Sequence, residues 1–255
     1  MKLVFVIAIV AIIIYTFRDS AGPILKELST TAPWVVITIC GAGVMYNVVE
    51  GWINYSFAKQ YNPQFTYRMG IESAFYCSFY RVATLGSGAG VAAVYYFNEK
   101  GIPVFQGTGM YMVEYAIHKV TIAIFSIIFF LLNFGFMKEH YSEYFNLLIA
   151  GYVLTAVIAT ALLLFCCSKK FHGILLFLVD KLNRKGKFDA QAAMLREQCG
   201  ILEDAAGMLL TKGKLIASIV AKNLLKFAFC YGIPFVILYR EYGLTLLQSW
   251  AVTSL

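Results

Sequence analysis

Long apolar runs, each closed by a short polar break, set the pattern of this chain. Between Lys2 and Arg18 lies the first, Leu3 to Phe17, fifteen residues long. A cleaved leader has a similar look, but no small-residue cleavage site follows, so a retained span is favoured. At 1.5 Å per residue it rises about 22 Å, short of a ~30 Å hydrocarbon core. Either Arg18 snorkels or the natural chain begins earlier. Ile24 to Thr31 sets Ile24, Leu25 and Leu28 against Lys26 and Glu27, which predicts a short helix at the interface. Pro33 suits a helix start, and Trp34 to Ala58 predicts the second span. Its polar residues Asn47, Glu50 and Asn54 recur at i, i+3 and i+7 and so share a face, with Gly43 and Gly51 close to it. That face is either glue between helices or a substrate-facing surface.

Lys59 to Arg68 reads as a polar loop. Met69 to Leu85 is apolar but carries Glu72 and Arg81. Then comes LGSGAGVAAVYYFNEKGIP, Leu85 to Pro103, with Gly86, Gly88, Gly90 and Gly101. Glycine-rich backbone beside membrane spans needs protein or a wet cavity around it, because its amides find no partner in lipid. Broken helices of this kind hold the binding sites of several transporters. Gly107 to Leu132 predicts a long span, Phe134 to Glu143 a loop, and Tyr144 to Cys167 another span. Ser168 to Lys214 is the largest polar segment. Ile174, Leu175, Leu178 and Leu182 keep helical spacing within it and predict interfacial helices. Leu215 to Tyr239 predicts a span carrying Lys222, Asn223 and Lys226. Leu244 to Leu255 is a final apolar segment, either re-entrant or the first part of something longer.

Composition agrees with the pattern. Of 255 residues, 60% are hydrophobic and 14% charged, where a soluble domain carries about 25% charge. Mean hydropathy is +0.71. The chain is expected to be one all-α domain over residues 1–255, a polytopic membrane bundle with a glycine-broken re-entrant helix pair and interfacial helices. The net charge of +7 is explained by the positive-inside rule rather than by nucleic acid, because its densest cluster, Lys169 to Lys187, follows a span. That cluster predicts a cytoplasmic side. Counting back puts Phe134 to Glu143 outside, and Lys100, Arg68, Lys59 and Lys2 inside. The count works only if Met69 to Phe97 enters and leaves on one side, which reaches the glycine break by an independent route.

Charges inside spans are costly and mark either internal pairs or a substrate path. Here they are Glu50, Glu72, Arg81, Glu114, Lys119, Lys222 and Lys226. Tyr111, Glu114, Tyr115 and His118 form one stripe at i, i+3, i+4 and i+7. A Glu–His pair is capable of acid–base work, but no nucleophile accompanies it, so no catalytic residue is assigned. The six cysteines form no C-x-x-C pair, and no metal or cofactor is expected. The candidate lipid-binding set is Glu50, Arg81, Gly86, Gly88, Gly90, Glu114, His118, Lys119, Lys222 and Lys226. The glycines would break the helix, and freed amides with Arg81 and Lys119 would receive a phosphate. Glu114 would hold Lys119 or His118 until a headgroup arrives.

An amphipathic element before a Pro-Trp span, a glycine-rich turn into AVYYFNEKGIP, and then GTGMYMVEYAIHK together resemble the flippase-like membrane region of lysylphosphatidylglycerol synthases, the multiple peptide resistance factor family. Many members carry Gly-Gly-Gln-Pro before the Tyr-Tyr pair, where this chain reads GAGV from Gly88 to Val91. The resemblance implies a bacterial inner-membrane protein that flips an aminoacylated phospholipid, or another lipid with an anionic or zwitterionic headgroup. It also implies two alternatives: the membrane part of a phosphatidylglycerol lysyltransferase, or a non-transporting assembly subunit. The expected partners are a membrane phospholipid, a separate aminoacyl-transferase domain and a second copy of the chain in a homo-oligomer. By itself the chain is not expected to be an enzyme.

Overall fold

The computed structural model describes residues 22, 26, 29–86, 88–183 and 189–254. The predicted first span, most of the amphipathic stretch before Pro33, and Lys185 lie outside them. Among the described residues every regular element is helical. Helix α1, Pro33–Ala58, opens with proline in its first turn, where a missing N–H leaves no bond unmade. Helix α2, Tyr67–Ala83, is capped by Thr66, whose side chain accepts from the Met69 N–H. The chain then turns through left-handed backbone at Leu85 (φ 52°) and Gly86 (φ 99°) and restarts as α3, Ala89–Glu99. The predicted break is thus present. Helix α4, Val104–Leu132, follows.

Beyond it come α5 (Phe134–His140), a 3-10 turn (Ser142–Tyr144), α6 (Phe145–Cys167), α7 (Lys169–Leu182), α8 (Asp189–Leu209), α9 (Gly213–Gly232), α10 (Phe235–Tyr242) and α11 (Leu246–Thr253). Among the described residues four segments are long and apolar enough to cross a membrane: Pro33–Ala58, Val104–Leu132, Ser142–Leu162 and Gly213–Gly232.

Three expectations change. The loop expected over Phe134 to Glu143 is largely helical, because Met137 is fully buried with Phe130 and Ala251 and draws that turn onto the bundle. The span expected over Leu215 to Tyr239 divides before Pro234, which has no N–H to continue a helix. Ser168 to Lys214 holds two helices that differ in burial. Helix α7 leaves Ile174, Phe177 and Leu178 exposed, as an interfacial helix would, whereas α8 sends Leu202, Ala205 and Leu209 into the main core.

Helix α4 is the hub, packed by α3, α6, α8, α9 and α11. Close crossings rest on glycine. A Cβ on Gly109 would lie 2.6 Å from that of Ala205, and one on Gly51 would lie 2.5 Å from the Ile71 Cα. Gly43, expected to help, has nothing within 4 Å. The α2–α3 hairpin is closed at its open end. Asn62 Nδ2 donates to the Lys100 carbonyl at 2.8 Å, and Tyr96 Oη donates to Glu72 at 3.0 Å. Lys212 Nζ donates to Gln60 at 2.8 Å and brings the start of α9 to the same end. At the other end of α4, Asn133 donates to the Leu247 carbonyl at 3.1 Å and Ser126 to that of Ser254 at 2.7 Å.

Candidate functional site

The stripe on α1 divides its work. Asn54 donates to Ser73 at 2.8 Å, and Asn47 accepts from Ser78 at 2.5 Å, so both amides bind α1 to α2. Glu50 turns instead toward α9 and accepts from Lys226 Nζ at 2.5 Å. That ammonium is wholly buried, and a buried charge is retained only with partners. Its second contact is His118 Nδ1 at 2.8 Å. A nitrogen facing an ammonium must accept, so the ring carries its proton on Nε2.

In front of this network lies a cavity of about 270 Å³. Glu50 and Arg81 line it from α1 and α2, Gly86 and Ala89 from the hairpin tip, and Tyr111, Glu114, Tyr115, His118 and Lys119 from α4. The predicted α4 stripe therefore faces one space. Among the described residues the Arg81 side chain makes one hydrogen-bond contact, a long one, Nη1 to Tyr46 Oη at 3.4 Å. Lys119 Nζ lies 5.3 Å from the centroid of the Tyr115 ring. Among the described residues neither cation has a carboxylate within 4 Å. Glu114 is 8% exposed and accepts no hydrogen bond from any described residue.

Several assigned roles need correction. Glu114 holds neither Lys119 nor His118: the imidazole is fixed by Lys226 and the lysine by an aromatic face. Lys226 stands behind the cavity wall as a structural partner of Glu50. Lys222 is elsewhere, donating to Ser56 at 2.6 Å and lying 4.5 Å from the Trp52 ring centroid. In the glycine turn, the Gly86 N–H donates to the Arg81 carbonyl at 2.7 Å and the Gly88 N–H to Thr84 Oγ1 at 2.6 Å. Those two amides are committed internally and do not await an anion. Gly90 lies inside α3 rather than in the break, and a Cβ there would meet the Tyr111 ring at 2.8 Å. Tyr46 belongs to the site as the hydroxyl that meets Arg81, and no sequence signal separates it from the many tyrosines of apolar runs.

Compared with known proteins, the chain matches no family model, no curated sequence and no solved structure.

Proposed function

We propose that this chain is an integral membrane protein of the bacterial inner membrane that binds and translocates a phospholipid such as aminoacylated phosphatidylglycerol. One observation carries the proposal. Two cations with no carboxylate within 4 Å among the described residues, Arg81 and Lys119, face a polar cavity formed where a broken helix pair meets a membrane-length helix. Arginine and lysine hold phosphate by charge-assisted hydrogen bonds, and the Nε2–H of His118 adds a donor. Glu114 supplies an acceptor for a headgroup ammonium. Cavity and apolar exterior together suit a ligand with a charged head and hydrocarbon tails.

Hairpin geometry supports a re-entrant entry. At 1.5 Å per residue, the 17 residues of α2 rise about 25 Å and the 11 of α3 about 17 Å, both short of a ~30 Å core. Both open ends meet at one end of the bundle, and the tip stops beside Glu114, ten residues into α4. Lipid headgroups would reach this depth from the side where the hairpin opens.

The test is lipid movement by purified protein in liposomes that contain labelled phosphatidylglycerol. Lys119→Gln and Arg81→Gln are expected to stay folded and monodisperse and to lose transfer, because neither cation forms a close ion pair with a described carboxylate. Transfer at the unaltered rate by both folded variants places the site elsewhere.

A further inference from the structure

A second cavity, of about 240 Å³, lies against the first. Met112 and Ala116 of α4, Leu162 and Phe165 of α6, and Leu202 of α8 form it with Tyr111 and Tyr115. Those two tyrosines line both spaces and stand one helical turn apart as the partition. The two sides differ in chemistry. One presents Arg81, Glu114, His118 and Lys119, and the other is almost wholly apolar. A space of that kind gives water no set of polar partners and gives a headgroup nothing to bind.

We propose that this slot takes an acyl chain of the same lipid whose headgroup enters the polar cavity, with Tyr111 and Tyr115 at the junction of head and tail. The inference rests on the phospholipid reading of the polar site and adds the tail to it. Only an amphiphile satisfies both spaces at once, and the wall they share is tyrosine, whose apolar ring and polar tip suit a head–tail boundary. Surrounding contacts fix the partition. Lys119 sits over the Tyr115 ring, and the Tyr111 ring occupies the place that a side chain at position 90 would take. Gly90 thus acts as a positioning residue, because the space it leaves lets Tyr111 stand between the cavities.

Full-length protein in detergent, titrated with dioctadecanoyl and with dihexanoyl phosphatidylglycerol and read by native mass spectrometry, tests this. Unaltered protein is expected to prefer the long-chain lipid by roughly tenfold or more, the scale set by a few buried methylenes. Ala116→Met and Leu162→Trp each fill the slot, from the buried face of α4 and from the outer helix α6. Each should reduce the preference to within about twofold and leave dihexanoyl binding unchanged. Arg81→Gln should weaken both lipids alike. If unaltered protein shows no chain-length preference, or the folded Leu162→Trp variant keeps it, the acyl slot is wrong and the headgroup site stands. If unaltered protein binds neither lipid, both fall.

Discussion

At the residue scale, the intramembrane charges sort into those that hold the fold and those that face the cavity. Lys226 belongs to the first kind and Glu50 to both, since it pairs with an ammonium that is 0% exposed while its own carboxylate, 11% exposed, also lines the cavity. Removing one member leaves the other buried and unpaired. Lys226→Met is therefore expected to cost about 3–5 kcal/mol of stability, whereas Glu50→Met with Lys226→Met should recover most of it, because an apolar replacement for a buried pair is often neutral. Thermal unfolding of the purified variants in detergent checks this, and a double variant as unstable as Lys226→Met alone rejects it. Lys119→Gln should leave the melting temperature in place. Much of this site was legible in sequence, because Glu50, Arg81, Glu114 and Lys119 stand out as charges within apolar runs. Their division into structural and open groups was not, since it depends on which helix lies opposite. Lys222 shows why. It shares a face with Lys226, but one turn earlier, about 6 Å along the axis, where the antiparallel α1 presents Ser56 instead of Glu50.

At the scale of elements, apolar periodicity located the four membrane-length helices of the described residues and missed how the polar segment joins them. Helices α6, α7 and α8 meet at His172, which is 2% exposed. Its Nε2 lies 2.5 Å from the Phe165 carbonyl and its Nδ1 2.9 Å from Glu203. The hydrogen bond from His172, and after it the Lys169 charge, holds the Glu203 carboxyl below its ordinary value of 4.5. A carboxyl lowered in the folded state stabilises fully above its unfolded value, and that contribution is lost as pH falls through the folded one. Glu203→Gln should therefore lower the melting temperature at pH 7, and the gap from the unaltered protein should close as pH drops below about 4.5. A gap that widens toward acid pH contradicts the joint. Sequence gave no hint of it, because a single histidine 31 residues from its carboxylate partner has no local signature. The break at Leu85–Gly86 was legible, since clustered glycines are the usual solution where backbone turns left-handed.

The whole molecule has two distinct ends, and charge tells them apart. Gln60, Asn62, Lys100 and Lys212 are tied together at one end by hydrogen bonds, and Lys59 and Arg68 flank them in the chain. At the other end Asn133 meets Leu247, with Lys138 on the short α5 that follows. Successive membrane-length helices alternate between these ends, and α2 with α3 returns to the end it left. This is the parity that positive-inside counting requires of Met69 to Phe97, reached here from side-chain contacts instead. By the positive-inside rule the rich end is expected to be cytoplasmic and Lys138 external. Single cysteines in a cysteine-free background, challenged with a membrane-impermeant thiol reagent, test both orientation and depth. Lys59→Cys, Lys100→Cys and Lys212→Cys should react only from the cytoplasmic side, and Lys138→Cys only from outside. Leu85→Cys decides the hairpin, because Leu85 is 93% exposed at the tip, where a short pair stops within the hydrocarbon and a full pair of crossings emerges. It should stay unlabelled from outside while Lys138→Cys reacts. Labelling of Leu85→Cys from outside would mean two complete crossings and would remove the depth argument for headgroup entry.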